Sequence, residues 1–187
     1  NNNKNILFPK KKNSNLKSLK EINGNYVITI DNYRKLIEIY YRIISNLPTI
    51  LIGEDGADKT LLLRKLYALL YNGKDIDYII KIDEGVTDED IIKKIEIINN
   101  DAKKLEKNKK IWVLFDKINM SSSLSLLTEI ICKHSYNGIK IENNIIFFGA
   151  CNLYSSLKDN ISNNKENLMN IVKPLPQSLM NFVYYFV

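Results

Sequence analysis

Ile50-Leu51-Ile52-Gly53-Glu54-Asp55-Gly56-Ala57-Asp58-Lys59-Thr60 is the stretch that decides the fold. A short apolar strand runs into Gly-x-x-x-x-Asp-Lys-Thr, and a helix-forming run, 61–70, follows at once. This is the pattern of a phosphate-binding loop with one letter changed. Such a loop wraps backbone N–H groups around phosphates at a helix N-terminus, and it carries Gly immediately before the lysine. Here that position is Asp58. The candidate nucleotide-contacting residues are Gly53, Glu54, Asp55, Gly56, Ala57, Asp58, Lys59, Thr60 and Leu61.

Working outward, strand and helix patterns alternate. Thr29 falls in a weakly alternating lead-in, 26–30, after which Asp31 or Asn32 is expected to cap a helix over 33–45. Leu36, Ile37, Tyr40 and Ile44 are expected on its buried face, and Pro48 stops it. Residues 77–83 read as a second strand. Thr87 with Asp90 resembles a capping box for a helix carrying Ile91, Ile92, Ile95 and Ile98. The lysine-rich stretch 103–110 reads as an exposed helix end and loop. Residues 111–116 form a near-continuous apolar run ending in Asp116, as a strand covered on both faces requires. Ser121 to Ser123 are expected to cap a helix over 124–133. A further buried strand, 145–150, ends at Cys151 and Asn152. A fifth strand is predicted over 168–172, and a last helix over 177–185 after Pro174 and Pro176. The fold class is α/β, a mostly parallel five-stranded sheet with helices on both faces.

Composition narrows the function. A 187-residue chain, 45% hydrophobic and 26% charged, suits one soluble domain with a proper core. The net charge of +6 is a tail property. Residues 1–20 hold six lysines and no acid, which leaves 21 basic against 21 acidic residues elsewhere. Residues 1–25 are therefore expected to be a disordered Asn- and Lys-rich tail, and nucleic acid is not the expected partner. No apolar run reaches membrane-span length and no signal-peptide pattern is visible, so a cytoplasmic location is expected. Cys132 and Cys151 suit free thiols, and Cys132 with His134 lacks metal-ligand spacing. The apolar end, 181–187, is expected to need burial against something downstream.

In parallel α/β sheets ligands bind at the carboxyl ends of strands. Three polar sites are expected there: the Gly53–Thr60 loop, Asp116 with Lys117, and Asn152. Lys59 would reach the β- and γ-phosphates. Thr60 and Asp116 would hold Mg²⁺, and Asn152 would sense the γ-phosphate or place the attacking water. Together they describe a P-loop nucleoside triphosphatase.

The same residues resemble an AAA+ module of the mysterin family, giant ring-finger AAA+ E3 ubiquitin ligases. The resemblance spans roughly 26–187. It rests on the Pro48-to-Thr60 stretch, on Trp112-Val113-Leu114-Phe115-Asp116-Lys117-Ile118-Asn119, and on Leu126-Leu127-Thr128-Glu129-Ile130-Ile131-Cys132. Asn137-Gly138, Gly149-Ala150-Cys151-Asn152 and Pro174-Leu175-Pro176-Gln177-Ser178-Leu179 extend it. It implies an ASCE-type AAA+ large subdomain without its lid, over 26–187, acting beside neighbouring AAA+ modules of one longer chain. It also implies Walker A at Gly53–Thr60, Walker B ending at Asp116, sensor 1 at Asn152, and ATP with Mg²⁺ as cofactors.

Two departures set the functional expectation. Asp58 replaces the family's Walker A glycine, and Lys117 replaces the Walker B glutamate that orients water. Arg34, Arg42 and Arg64 are the chain's arginines, and none follows Asp116 where a finger would lie. The expectation is a degenerate module, structural or regulatory, with weak or no ATP binding and impaired hydrolysis. Lys117 could instead form an ion pair with Asp58 or Asp116. The alternatives are an active ATPase using unusual residues, and a nucleic-acid module using the lysine tail.

Overall fold

The strands at the centre are apolar on both sides, and that dictates a sheet with two covered faces. The computed structural model describes residues 29–54, 58–71, 74–83, 85–106, 109–152 and 174–186. In chain order these form α1 (Ile30–Ile44), β1 (Thr49–Gly53), α2 (Lys59–Leu70), β2 (Tyr78–Lys81), α3 (Asp88–Lys104) and β3 (Ile111–Asp116). A 3₁₀ turn, Ile118–Met120, leads to α4 (Leu124–Thr128), which continues as a π turn, Glu129–Lys133. A small ribbon follows, β4 (Ser135–Tyr136) and β5 (Ile139–Lys140), then β6 (Ile145–Asn152), α5 (Gln177–Met180) and β7 (Val183–Phe186).

The main sheet has five strands in the order β2-β3-β6-β1-β7, every pair parallel. Alternation splits its side chains between two cores. Ile50, Val113, Phe115 and Phe147 pack with Ile91, Ile95 and Ile98 of α3 and with Leu127 of α4. Leu51, Trp112, Leu114 and Phe148 pack with Leu36, Ile39 and Ile43 of α1 and with Leu62, Leu63 and Leu66 of α2. Most of these side chains are fully buried, each worth about 1.5–3 kcal/mol of transfer free energy. The Thr87–Asp90 capping box forms, with Asp90 N to Thr87 Oγ1 at 3.3 Å and Thr87 N to Asp90 Oδ2 at 3.2 Å.

Several sequence expectations are corrected. Thr29, not Asp31 or Asn32, caps α1: its Oγ1 accepts from Asn32 N at 3.1 Å, and Asp31 in the first turn pairs with Lys35 at 2.7 Å. The buried stripe of α1 is Leu36, Ile39 and Ile43, while Ile44 is exposed. That helix carries apolar side chains on two adjoining arcs, and the sheet takes the aliphatic one rather than the arc holding tyrosines. Ser123 sits at the N-cap of α4 but makes no side-chain cap bond; its N–H goes to Ser121 Oγ at 2.8 Å. The helix expected over 124–133 widens at its midpoint, where Thr128 Oγ1 donates to Leu124 O at 2.6 Å and competes for a helical carbonyl.

The largest correction lies at the C-terminal end. The helix expected over 177–185 is a single turn, Gln177–Met180, and Val183-Tyr184-Tyr185-Phe186 is the fifth strand. β-branched and aromatic residues suit a pleated surface, and β1 offers an open edge in register, Gly53 opposite Phe186. Arg42 Nη1 donates to Phe182 O at 2.8 Å and seats the strand's start against α1. The fifth strand expected over 168–172 lies outside the described residues, as does the tail at 1–25.

Candidate functional site

Three strands deliver their polar ends to one edge of the sheet. β1 ends at Gly53 and β6 at Asn152, which face each other in register, while Asp116 at the end of β3 lies opposite Ala150. α2 starts at Lys59, directly after the loop that leaves β1. The fold thus brings Gly53, Lys59, Thr60, Asp116, Lys117 and Asn152 to one edge. Asp55, Gly56 and Ala57 lie outside the described residues.

Lys59 is buried, and its ammonium donates to Gly53 O at 2.9 Å and Glu54 O at 2.6 Å. The lysine therefore holds the first two carbonyls of its own loop. Thr60 beside it is half-buried, and Glu54 and Leu61 are exposed. Gly53 leaves no room for a side chain. A Cβ there would stand 2.7 Å from Phe186 Cβ, 2.9 Å from Phe186 O and 3.5 Å from Lys59 Cδ.

Asp58 occupies the left-handed region, φ 52° and ψ 20°, as the residue preceding α2. L-residues other than Gly, Asn and Asp rarely adopt that conformation. The position therefore asks for glycine on backbone grounds as well as for phosphate access. Its backbone oxygen accepts from Leu62 N at 2.8 Å and starts the helix, but its exposed carboxylate makes no cap bond.

Asp116 is half-buried, and its carbonyl accepts from Ile82 N at 3.0 Å across to the end of β2. Lys117 is exposed and, like Asp58, left-handed, with φ 61° and ψ 42°. Among the described residues it makes no ion pair with Asp58 or Asp116. The ion pair that the sequence allowed is therefore not formed between them. The turn that carries Lys117 folds over β6: Ile118 sits against Gly149, where a Cβ would lie 2.9 Å from Ile118 Cδ1 and 2.8 Å from Ile50 Cδ1.

Asn152 is half-buried, and its carbonyl accepts from Asn119 Nδ2 at 3.0 Å. Burial pushes the neighbouring Cys151 thiol up to about 12, against the opposing pull of the Asn119 backbone N–H and the Lys59 ammonium. Both cysteines are free. His134 turns its Nε2 to Ile145 O at 3.1 Å, and Cys132 Sγ lies 3.7 Å from Ser178 O. The sequence reading assigned no role to Asn119, Gly149 or Phe186. Their partners are 30 or more residues away, so no local pattern announces those contacts. No helix among the described residues is long and apolar enough to cross a membrane.

Sheet order, parallel strands and a loop-to-helix junction behind β1 make this an α/β P-loop NTPase fold. Residues 26–155 match the family model described as RNF213 AAA domain. The chain is 30% identical over 135 residues to E3 ubiquitin-protein ligase rnf213-beta of Danio rerio, covering 69% of this chain and 3% of that protein. It is 29% identical over 135 residues to human E3 ubiquitin-protein ligase RNF213 and 27% to the mouse protein, with the same coverage. The chain therefore spans about 3% of the length of these curated relatives. The family match takes in every polar group at the carboxyl edge, from Gly53 to Asn152, and so the chain belongs to the RNF213 AAA domain family, the mysterin family its motifs resemble.

Proposed function

We propose that this module is a degenerate AAA+ unit: it keeps the architecture of a nucleotide site, binds ATP and Mg²⁺ weakly, and does not hydrolyse ATP. The observation that carries this reading is Asp58, a carboxylate at the junction where Lys59 and α2 begin. AAA domains in general use nucleotide with Mg²⁺, and Lys59, Thr60 and Asp116 are the residue types to hold them. The residues beside them do not fit the rest of the chemistry. At ~4 Å and an effective dielectric of about 20, one pair of like unit charges costs on the order of 4 kcal/mol. Mg²⁺ and Lys59 would offset part of that. Lys117 stands where the family carries glutamate, and an ammonium offers no acceptor for the proton of attacking water.

The role that remains is mechanical or regulatory: one segment of a tandem AAA+ core in a longer RNF213-like chain. Neighbouring AAA+ modules are the proposed partners. Ubiquitin transfer, the activity named for the relatives, is proposed for such a longer chain and is assigned no residue here.

Phosphate release tests the reading. The wild-type chain with Mg²⁺-ATP should release phosphate no faster than buffer. The double variant Asp58→Gly, Lys117→Glu should release it measurably, because it restores both loop access and an acceptor for the water's proton. Turnover by the wild type at the rate of the double variant would refute the degenerate reading.

A further inference from the structure

The turn after β3 is tied to the end of β6 by one side chain. Asn119 is 3% exposed, and its Nδ2 donates to the carbonyl of Asn152 at 3.0 Å. That one bond holds the last residue of the strand to the turn. Ile118, just before it, is seated over Gly149 with no space for a Cβ between them, so the turn is also fixed along the strand.

The chemistry of Asn119 argues against a purely space-filling role. Its Oδ1 is buried with no hydrogen-bond partner among the described residues. An unpaired buried polar atom costs about 1–3 kcal/mol, and an apolar side chain of similar volume would avoid that cost. What an apolar residue could not supply is the donor to Asn152 O. Aspartate would set a carboxylate against that carbonyl, and serine or alanine is too short to reach it.

We propose that Asn119 is a positioning residue for Asn152. It locks the carboxyl end of β6 to the turn that carries Asp116 and Lys117, so that the two halves of the edge keep one spacing and move together. The functional meaning rests on the reading of Asn152 as the residue facing the terminal phosphate. The lock itself does not depend on that reading, and its test uses no nucleotide.

Hydrogen exchange on the 187-residue chain reads the lock directly. In Asn119→Ala, amides at 150–152 should exchange about tenfold faster, the value of one hydrogen bond, while those at 145–148 change less than about threefold. Asn119→Asp supplies the control that a structural role would not move. Its buried carboxyl is held protonated at low pH, where it donates to Asn152 O, and is ionised at high pH, where it repels it. The ratio of protection between the two halves of β6 should therefore match the wild type at pH 5 and fall to the alanine level at pH 8. Equal loss along the whole strand, no loss at 150–152, or a pH-independent ratio in Asn119→Asp would overturn the assignment. The aspartate arm decides the matter even if the alanine variant does not fold.

Discussion

Phe186 and Gly53 approach so closely that a methyl on the glycine would stand 2.7 Å from Phe186 Cβ and 2.9 Å from its carbonyl oxygen. The first glycine of the phosphate loop is thus also the residue that lets β7 dock against β1. Gly53→Ala should force the strands apart at the cost of overpacking, about 1–3 kcal/mol, and lower the melting temperature by roughly 2–12 °C. Thermal denaturation followed by circular dichroism checks this; a variant melting within about 1 °C of wild type contradicts it. Loss of nucleotide binding in Gly53→Ala would consequently report on strand seating as much as on phosphate contact.

Position 58 makes a separate stability prediction. Its left-handed backbone, φ 52°, is tolerated by Asp and Asn and is unstrained for Gly. Asp58→Asn and Asp58→Gly should therefore fold with stability equal to or above wild type. Asp58→Val should lose about 1–2 kcal/mol, because a β-branched side chain clashes in that conformation. Urea denaturation ranks the three, and a valine variant as stable as the glycine variant would show that the loop does not hold this conformation in solution.

The lone histidine sets a pH dependence. His134 stacks edge-on against Phe147 at 5.0 Å, and burial lowers its pKa below 6.5 despite the opposing hydrogen bond to Ile145 O. The unfolded chain takes up a proton near 6.5, while the folded chain resists it. The resulting stability is complete above pH 6.5 and is lost as pH falls toward the lowered folded value. Melting temperature should therefore drop more steeply from pH 7 to pH 5 in wild type than in His134→Gln, and identical slopes would contradict this. Asp90 and Asp101 also have lowered pKa values, from hydrogen bonds with Thr87 and Tyr78. Their contribution is present above the usual carboxylate range and is lost below it, so the two effects occupy different pH windows.

How much of this was legible in the sequence depends on the range of the interaction. β1, β3 and β6 stand out because each is a run of apolar residues cut off by a charged or polar residue. The cap of α3 is equally local, since Thr87 and Asp90 are three residues apart. β7 was not legible: a short run such as Val183-Tyr184-Tyr185-Phe186 fits helix or strand, and the open edge of β1 together with Arg42 decides. At the edge of the sheet, residue types and order could be read directly. The left-handed turn at Lys117 could not, since lysine carries no preference for it, and neither could the bond from Asn119 to a carbonyl 33 residues away.

Calorimetric titration of Mg²⁺-ATP into the wild-type chain and into Asp58→Gly bears most directly on the degenerate site. Removing the carboxylate should tighten binding at least about tenfold, equivalent to 1.4 kcal/mol, with no change in fold. Equal affinity in the two proteins, or tight binding by the wild type, would contradict the account.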